Sequence, residues 1–238
     1  MANRLLPFRQ YDENDVINLF SNAAADAKPS TNGNGSAGVF VSVSAGNLDK
    51  SPVTYVDRTE LGASHDHTRN QYPEVQLQVT AAAVGAKAGE VVGITLKQTL
   101  ETDENGEKLL YNPVKKDELQ AVLSGQAVPI ATRGIFTLTD DAVDCTLTSA
   151  WPSPGQAVVM GPETAGKVSG IAYDSLYADY DGTTTTTTGA KFAISAGGEV
   201  IYSLGHVLGT WLGTGTRTST GPTTDAYAGT YGVIKLNL

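Results

Sequence analysis

The sequence predicts an all-β protein with many turns, on three observations. Apolar and polar residues alternate with period two in one segment after another, as half-buried strands require. The chain carries 26 glycines and 10 prolines, which punctuate those segments as turn residues do. Helical and strand-like stretches do not alternate, which argues against a parallel doubly wound sheet. At 238 residues the chain suits one large β domain or two small ones, either able to bury a core.

In chain order, residues 1–37 divide into an N-terminal arm and a linker, and the β-rich domain runs from 38 to 238. The arm collects Leu5, Leu6, Phe8, Val16, Ile17, Leu19 and Phe20. This apolar set either caps its own core or docks on a neighbouring subunit, because the stretch "NAAADAKPSTNGNGSAG" after it is small and polar, like a flexible tether. "GVFVSVSAG" alternates Val39, Val41 and Val43 against Ser42 and Ser44, with Phe40 breaking the pattern. "SPVTYVDRTELG" is a further strand candidate, and "EVQLQVTAAAV" sets Val75, Leu77 and Val79 against Gln76, Gln78 and Thr80. "GEVVGITLKQTL" and "EKLLYNPV" flank Asn105-Gly106, a pair that tolerates the positive φ of a hairpin turn.

"NPVKKDELQAVLSG" predicts the one substantial helix, near Lys115 to Leu123. Pro113 stands near its start, Leu119, Val122 and Leu123 share a face at helical spacing, and Gly125 closes it. Strands resume in "QAVPIATRGIFTLT", "DAVDCTLTS", "GQAVVMG", "GKVSGIAYD", "EVIYSLGHVLGTWLG" and "YGVIKLNL". "PGQAVVMGPETAGKV" reads as strand, tight turn and strand. A threonine-rich run near 178–190 reads as a surface loop inserted between strands.

The chemistry on this scaffold is sparse. A formal net charge of −9 disfavours nucleic acid and anionic membranes, which are met by Lys and Arg. Cys145 has no second cysteine to pair with and reads as a small buried hydrophobe. No apolar run reaches a signal peptide's core or a bilayer span, so the expectation is a protein made inside the cell and not exported by a signal peptide. "GNGSAG", Gly33 to Gly38, matches the dinucleotide fingerprint, but a linker precedes it and a strand follows where a helix N-terminus is required. His65 and His67 in "SHDH" share a face if extended, yet the remaining histidine, His206, is distant, and a polar loop is the simpler reading. "ETDENG" has carboxylates at calcium-loop spacing, but Asn112 stands where the closing carboxylate belongs. "DYDGT" fails in the same way, and both are expected to be Asx-held turns. No nucleophile elbow or zinc-helix motif appears. The expectation is no catalytic site, no metal and no cofactor.

The stretches "GQAVPIATRGIFTL", "PGQAVVMGPETAGKVSG", "LGHVLGTWLGTG" and "GVIKLNL", in that order, together resemble the capsid decoration (cement) proteins of tailed bacteriophages. The first supplies Gly134, Phe136 and Leu138, and the second Gly155, Val158, Thr164, Ala165, Gly166 and Lys167. The third gives Leu204, Gly205 and Leu208, and the closing strand gives Ile234, Leu236 and Asn237. The resemblance covers about Val91 to Val168 and Leu204 to Leu238. The N-terminal third, the helix and the threonine loop are additions. It implies a β-barrel or β-tulip-like domain, a homo-oligomer such as a dimer or trimer, bound to the major capsid protein on the virion exterior after synthesis in the host cytoplasm. The arm residues would then contact the capsid or a neighbour. Two other readings stay open: a tail-tube or fibre subunit, and a carbohydrate-binding β domain with Trp151, Trp211 and the tyrosines of "YDSLYADYDG" around a groove.

Overall fold

Two six-stranded sheets carry the fold. The computed structural model describes residues 4–29, 33–45, 53–54, 74–75, 77–145, 151–176, 192–195, 198–218 and 228–238. The first strands are β1 (Leu5–Gln10), β2 (Val16–Ile17), β3 (Ser21–Asn22), β4 (Phe40–Ala45), β5 (Val53–Thr54), β6 (Glu74–Val75), β7 (Gln78–Ala81), β8 (Gly93–Thr95) and β9 (Gln98–Leu100). The helix α1 (Pro113–Glu118) follows, and then β10 (Ala121–Leu123), β11 (Ile130–Ala131), β12 (Arg133–Thr139), β13 (Ala157–Met160) and β14 (Val168–Ile171). The chain closes with β15 (Phe192–Ser195), β16 (Gly198–Ile201), β17 (Gly209–Arg217) and β18 (Gly229–Asn237). The protein is mostly β-sheet with one short helix among the described residues.

One sheet has the order β1-β12-β18-β17-β13-β14 and the other β2-β11-β8-β4-β7-β3. Their facing sides enclose the main core, which includes Leu5, Phe40, Ile94, Phe136, Leu138, Val158, Met160, Trp211, Ile234 and Leu236. Phe40 illustrates why the sequence alternation breaks. It faces this core, while Val39 and Val41 face a second cluster with Val79, Val128 and Ile130 on the other side of their sheet. Where a strand is buried on both faces, as at 39–41, it has no wet side to mark with polar residues; further along β4, Val43 and Ser44 are exposed.

The expected barrel takes the form of two open sheets sewn along two seams. At the first, the chain passes between sheets at β11–β12, and Thr132 donates its backbone N–H and its hydroxyl to Asp15 O. At the second, the β13–β14 turn reaches the opposite sheet. Gly166 O accepts Phe40 N–H at 3.1 Å, Gly166 N–H donates to Ala82 O at 2.9 Å, and Gly85 N–H donates to Gly161 O at 3.2 Å.

Several expectations are decided or corrected. Of residues 1–37, the described ones (4–29 and 33–37) are built into the domain, so of the two readings of the arm they fit the cap on its own core. β1 pairs with β12, β2 with β11 and β3 with β7, and Leu5 and Leu6 are buried. Arg9 donates to Leu96 O at 3.3 Å, and Tyr11 stacks on Phe136. The segment's hydrophobicity is spent largely on its own domain. The helix is also shorter than expected. Asn112 caps it by accepting Lys115 N–H, and Pro113 opens it. Gln120 then takes φ 49, which ends the helix, and 121–123 become β10, parallel to β9. Leu119 and Leu123 still meet in one small cluster with Leu100 and Leu109, so their spacing could not separate helix from turn-plus-strand.

Three other strand expectations also fail. In 107–114 the hairpin shrinks to one bridge, Thr102 to Lys108, and Leu109–Tyr111 form a 3-10 turn that buries Leu109. In "DAVDC" a 3-10 turn spans Asp140–Ala142 and Val143 bridges Val168. In "EVIYSLGHVLGTWLG" a 3-10 turn at Leu204–His206 separates β16 from β17. The threonine-rich run and most of "SPVTYVDRTELG" lie outside the described residues.

Candidate interaction surface

The glycine-rich loop wraps a carboxylate of its own chain. Asp26, 5% exposed, accepts Gly35 N–H at 3.1 Å on Oδ1 and the Ser36 hydroxyl at 2.8 Å on Oδ2. Gly35 is required by close approach, because a Cβ there would stand 2.4 Å from Asp26 N and 2.8 Å from Thr99 O. No helix follows the loop; β4 does. The donors that would meet a pyrophosphate in a dinucleotide site are turned inward. The buried Arg4 lies in the field of Asp141 and Asp26, which offset the burial that holds its guanidinium below its ordinary value.

"ETDENG" is an Asx-held turn, as expected. Asp103 Oδ1 accepts Asn105 N–H at 2.9 Å and Glu107 N–H at 2.8 Å. Lys115 Nζ lies 2.7 Å from Glu104 and 3.6 Å from Glu118. The Glu104–Lys115 hydrogen bond pushes the carboxyl down and the ammonium up. Among the described residues no group of three or more His, Cys, Asp and Glu is placed to hold a metal ion. His65, His67 and "DYDGT" lie outside those residues.

Cys145 is half-buried, less enclosed than expected, and packs against the main core. Burial pushes its thiol up, and Asp144 and Asp140 add to the effect. That is the reverse of the electropositive setting that activates a cysteine. Asp144 has another role: its carboxylate accepts Glu163 N–H at 2.9 Å and Thr164 N–H at 3.3 Å, pinning the β13–β14 turn.

The carbohydrate groove does not assemble from the aromatics that can be placed. Trp211 is fully buried in the main core and donates Nε1–H to Ser169 O at 3.2 Å. Trp151 packs against the same core. Tyr173 is exposed and sits on the opposite side of the sheet, where its hydroxyl meets Thr210 Oγ1 at 3.2 Å. Tyr177 and Tyr180 lie outside the described residues.

The arm residues separate by burial. Leu5 and Leu6 are buried, and Val16, Ile17 and Phe20 are half-buried. Phe8 is 75% exposed and Leu19 45%. Only these two are left open for a neighbour.

Cross-strand register defines an outward face that sequence reasoning missed. Because opposed residues share a face, Gln10, Ile135, Lys235 and Thr210 form one row across β1, β12, β18 and β17. Thr137 and Val233 form the next row. Thr137 is buried, Ile135 and Val233 are half-buried and Lys235 is exposed. Leu212, at a register shift in β17, is 45% exposed. With Arg133 at the β12 end and Arg217 at the far end of β17, this face presents an amide, hydroxyls, aliphatic side chains and three cations, and no carboxylate among the described residues. The signal was the period-two alternation of β12 and β18, whose other phase fills the core.

The stretches that carry the resemblance to decoration proteins all reach this sheet. Gly134, Phe136 and Leu138 belong to β12, and Val158 to β13. Gly166 lies in the β13–β14 turn, Leu208 immediately before β17, and Ile234 and Leu236 in β18. Phe136, Leu138, Val158, Leu208, Ile234 and Leu236 are core residues, so the resemblance rests on residues that build the sheet. No family model, curated protein or solved structure matches the chain.

Proposed function

We propose that the protein is a virion structural protein that binds the outer surface of the major capsid protein lattice and stabilises it by contact alone. One observation carries this reading. The four stretches that resemble decoration proteins converge on a single sheet, and in a chain of net charge −9 the outward rows of that sheet hold three cations, Arg133, Lys235 and Arg217, and no carboxylate among the described residues. Such a face suits an uncharged or acidic protein surface, with Ile135, Val233 and Leu212 as apolar anchors. A contact of about 800 Å² per partner gives specificity, and a homo-oligomer repeating it over the shell adds avidity. Binding to the assembled lattice and not to its unfolded subunits raises the lattice's resistance to heat by mass action.

The test is to add the purified protein to heads made without it, then measure uptake by sedimentation and the temperature of head disruption. Saturable uptake with a raised disruption temperature is expected. Moderate salt should weaken uptake only slightly, since few long-range charge pairs are screened. Absence of uptake, or full occupancy with no thermal shift, overturns the reading.

A further inference from the structure

The 3-10 turn that leads into β17 is built around an unprotonated ring nitrogen. Ser203 N–H donates to His206 Nδ1 at 3.0 Å, and Ser203 Oγ lies 2.9 Å from the same atom. The neutral ring therefore carries its proton on Nε2. His206 is 7% exposed, and Tyr202 meets it edge-on with ring centroids 5.6 Å apart. Tyr202 is fully buried and donates its hydroxyl to Met160 O at 2.6 Å. With Val207 it closes over Ala157, Val159 and Ile171, the outer side of β13 and β14. Residues 202–207 thus form a strap over the hairpin. Beyond the strap, Leu208 N–H donates to Val158 O at 2.8 Å and fixes the start of β17.

We propose that this strap is a proton-operated latch: protonation of His206 releases residues 202–207 from the outer face of β13 and β14 while the two-sheet core stays folded. A proton on Nδ1 removes the acceptor that holds Ser203 N–H, so two N–H groups would face each other at hydrogen-bond distance. The same proton buries a charge, which is unfavourable unless it is paired. The charges facing His206 stand on the 3-10 turn Ala88–Glu90, packed against its own, and on the preceding Lys87. The Lys87 ammonium opposes a second cation. The Glu90 carboxylate favours one, but its Oε2 already accepts Lys87 N–H at 3.0 Å. Tyr202 stays neutral, its phenol pushed up by burial and by Asp144.

Burial, reinforced by Lys87 and opposed by the Ser203 backbone and by Glu90, holds the imidazole below its ordinary value. The sign follows from linkage. The closed strap binds fewer protons than the open one, so it is fully favoured above about pH 6.5, the open-state value. Below that, the closed-to-open ratio falls by up to about tenfold per pH unit until the closed-state value is reached.

The experiment compares the intact protein with His206→Gln, whose amide oxygen can still accept Ser203 N–H but does not titrate. Binding of the apolar dye ANS, limited proteolysis and far-UV circular dichroism are followed from about pH 7.5 to about pH 5. The wild type should gain roughly threefold in ANS fluorescence and become cleavable within 202–207, with its β spectrum unchanged. His206→Gln should show no pH step, whether its strap is permanently closed or permanently open. If that variant does not fold, NMR of the wild type decides: the His206 ring and the Ser203 amide should titrate together, below the ordinary histidine range. The same acid response in both proteins overturns the latch. So does a His206 that titrates at its ordinary value with Ser203 unmoved.

Discussion

Gly166→Ala tests whether the β13–β14 turn is a structural seam between the sheets. Gly166 sits at φ 74, and a Cβ there would lie 2.6 Å from Val39 Cγ1 and 3.1 Å from Ala81 Cβ. The left-handed backbone costs an L-residue about 1–2 kcal/mol. Forcing a methyl into a filled site adds about 1–3 kcal/mol. The turn cannot back away freely, because Gly166 holds Phe40 N–H and Ala82 O across the seam. The sum is a loss of about 2–5 kcal/mol, a large share of the ~5–15 kcal/mol that keeps a domain folded. With a urea m value of about 3 kcal/mol/M, the unfolding midpoint should fall by roughly 0.7–1.7 M. Gly106→Ala is the matched control: Gly106 has φ 87 and nothing within 4 Å of a built Cβ. It should lose the backbone contribution alone, about 1–2 kcal/mol. Equal midpoint shifts for the two variants would refute the seam, since the packing contribution would then be absent at Gly166.

Four further outcomes are expected. Asp26→Ala strands the buried Gly35 and Ser36 donors and leaves Arg4 without one of its two acidic neighbours, so chemical denaturation should show a loss of about 3 kcal/mol. Trp211→Ala empties a fully buried site and removes the bond to Ser169 O; a loss of about 3–5 kcal/mol is expected, and a change below about 1 kcal/mol would contradict the core assignment. At pH 8 the Cys145 thiol, raised by burial and by Asp144 and Asp140, should react with DTNB on the order of tenfold more slowly in the folded protein than in urea. Phe8→Ser and Leu19→Ser, at exposed positions, should leave the urea midpoint within the equivalent of about 0.5 kcal/mol; weakened uptake by heads would place these two residues at the contact.

Sequence alone determined those elements whose information is local. The hairpin 154–168 was legible because two apolar runs flank turn residues. Asp103 was legible as a turn holder because the N–H groups it accepts, Asn105 and Glu107, lie in its own turn. The strands 133–139 and 229–237 were legible because one face looks to the core and the other outward. Tertiary structure decided whatever depends on a partner distant in sequence. Val39, Phe40 and Val41 blur the alternation because both sides of the chain are covered at these three positions. Leu5 and Leu6 suit a core cap or a docking arm equally until β12 is placed beside them, since the unpaired backbone of an edge strand carries no mark in its own residues. Leu119 and Leu123 suit a helix or a turn followed by a strand equally well, and the parallel ladder with β9 decides for the strand. His206 reads as a strand residue until Ser203 and Tyr202 close around it. Alternation encodes which side of a segment is wet, but not which segment lies beside it, and pairing across long separations in sequence decides that.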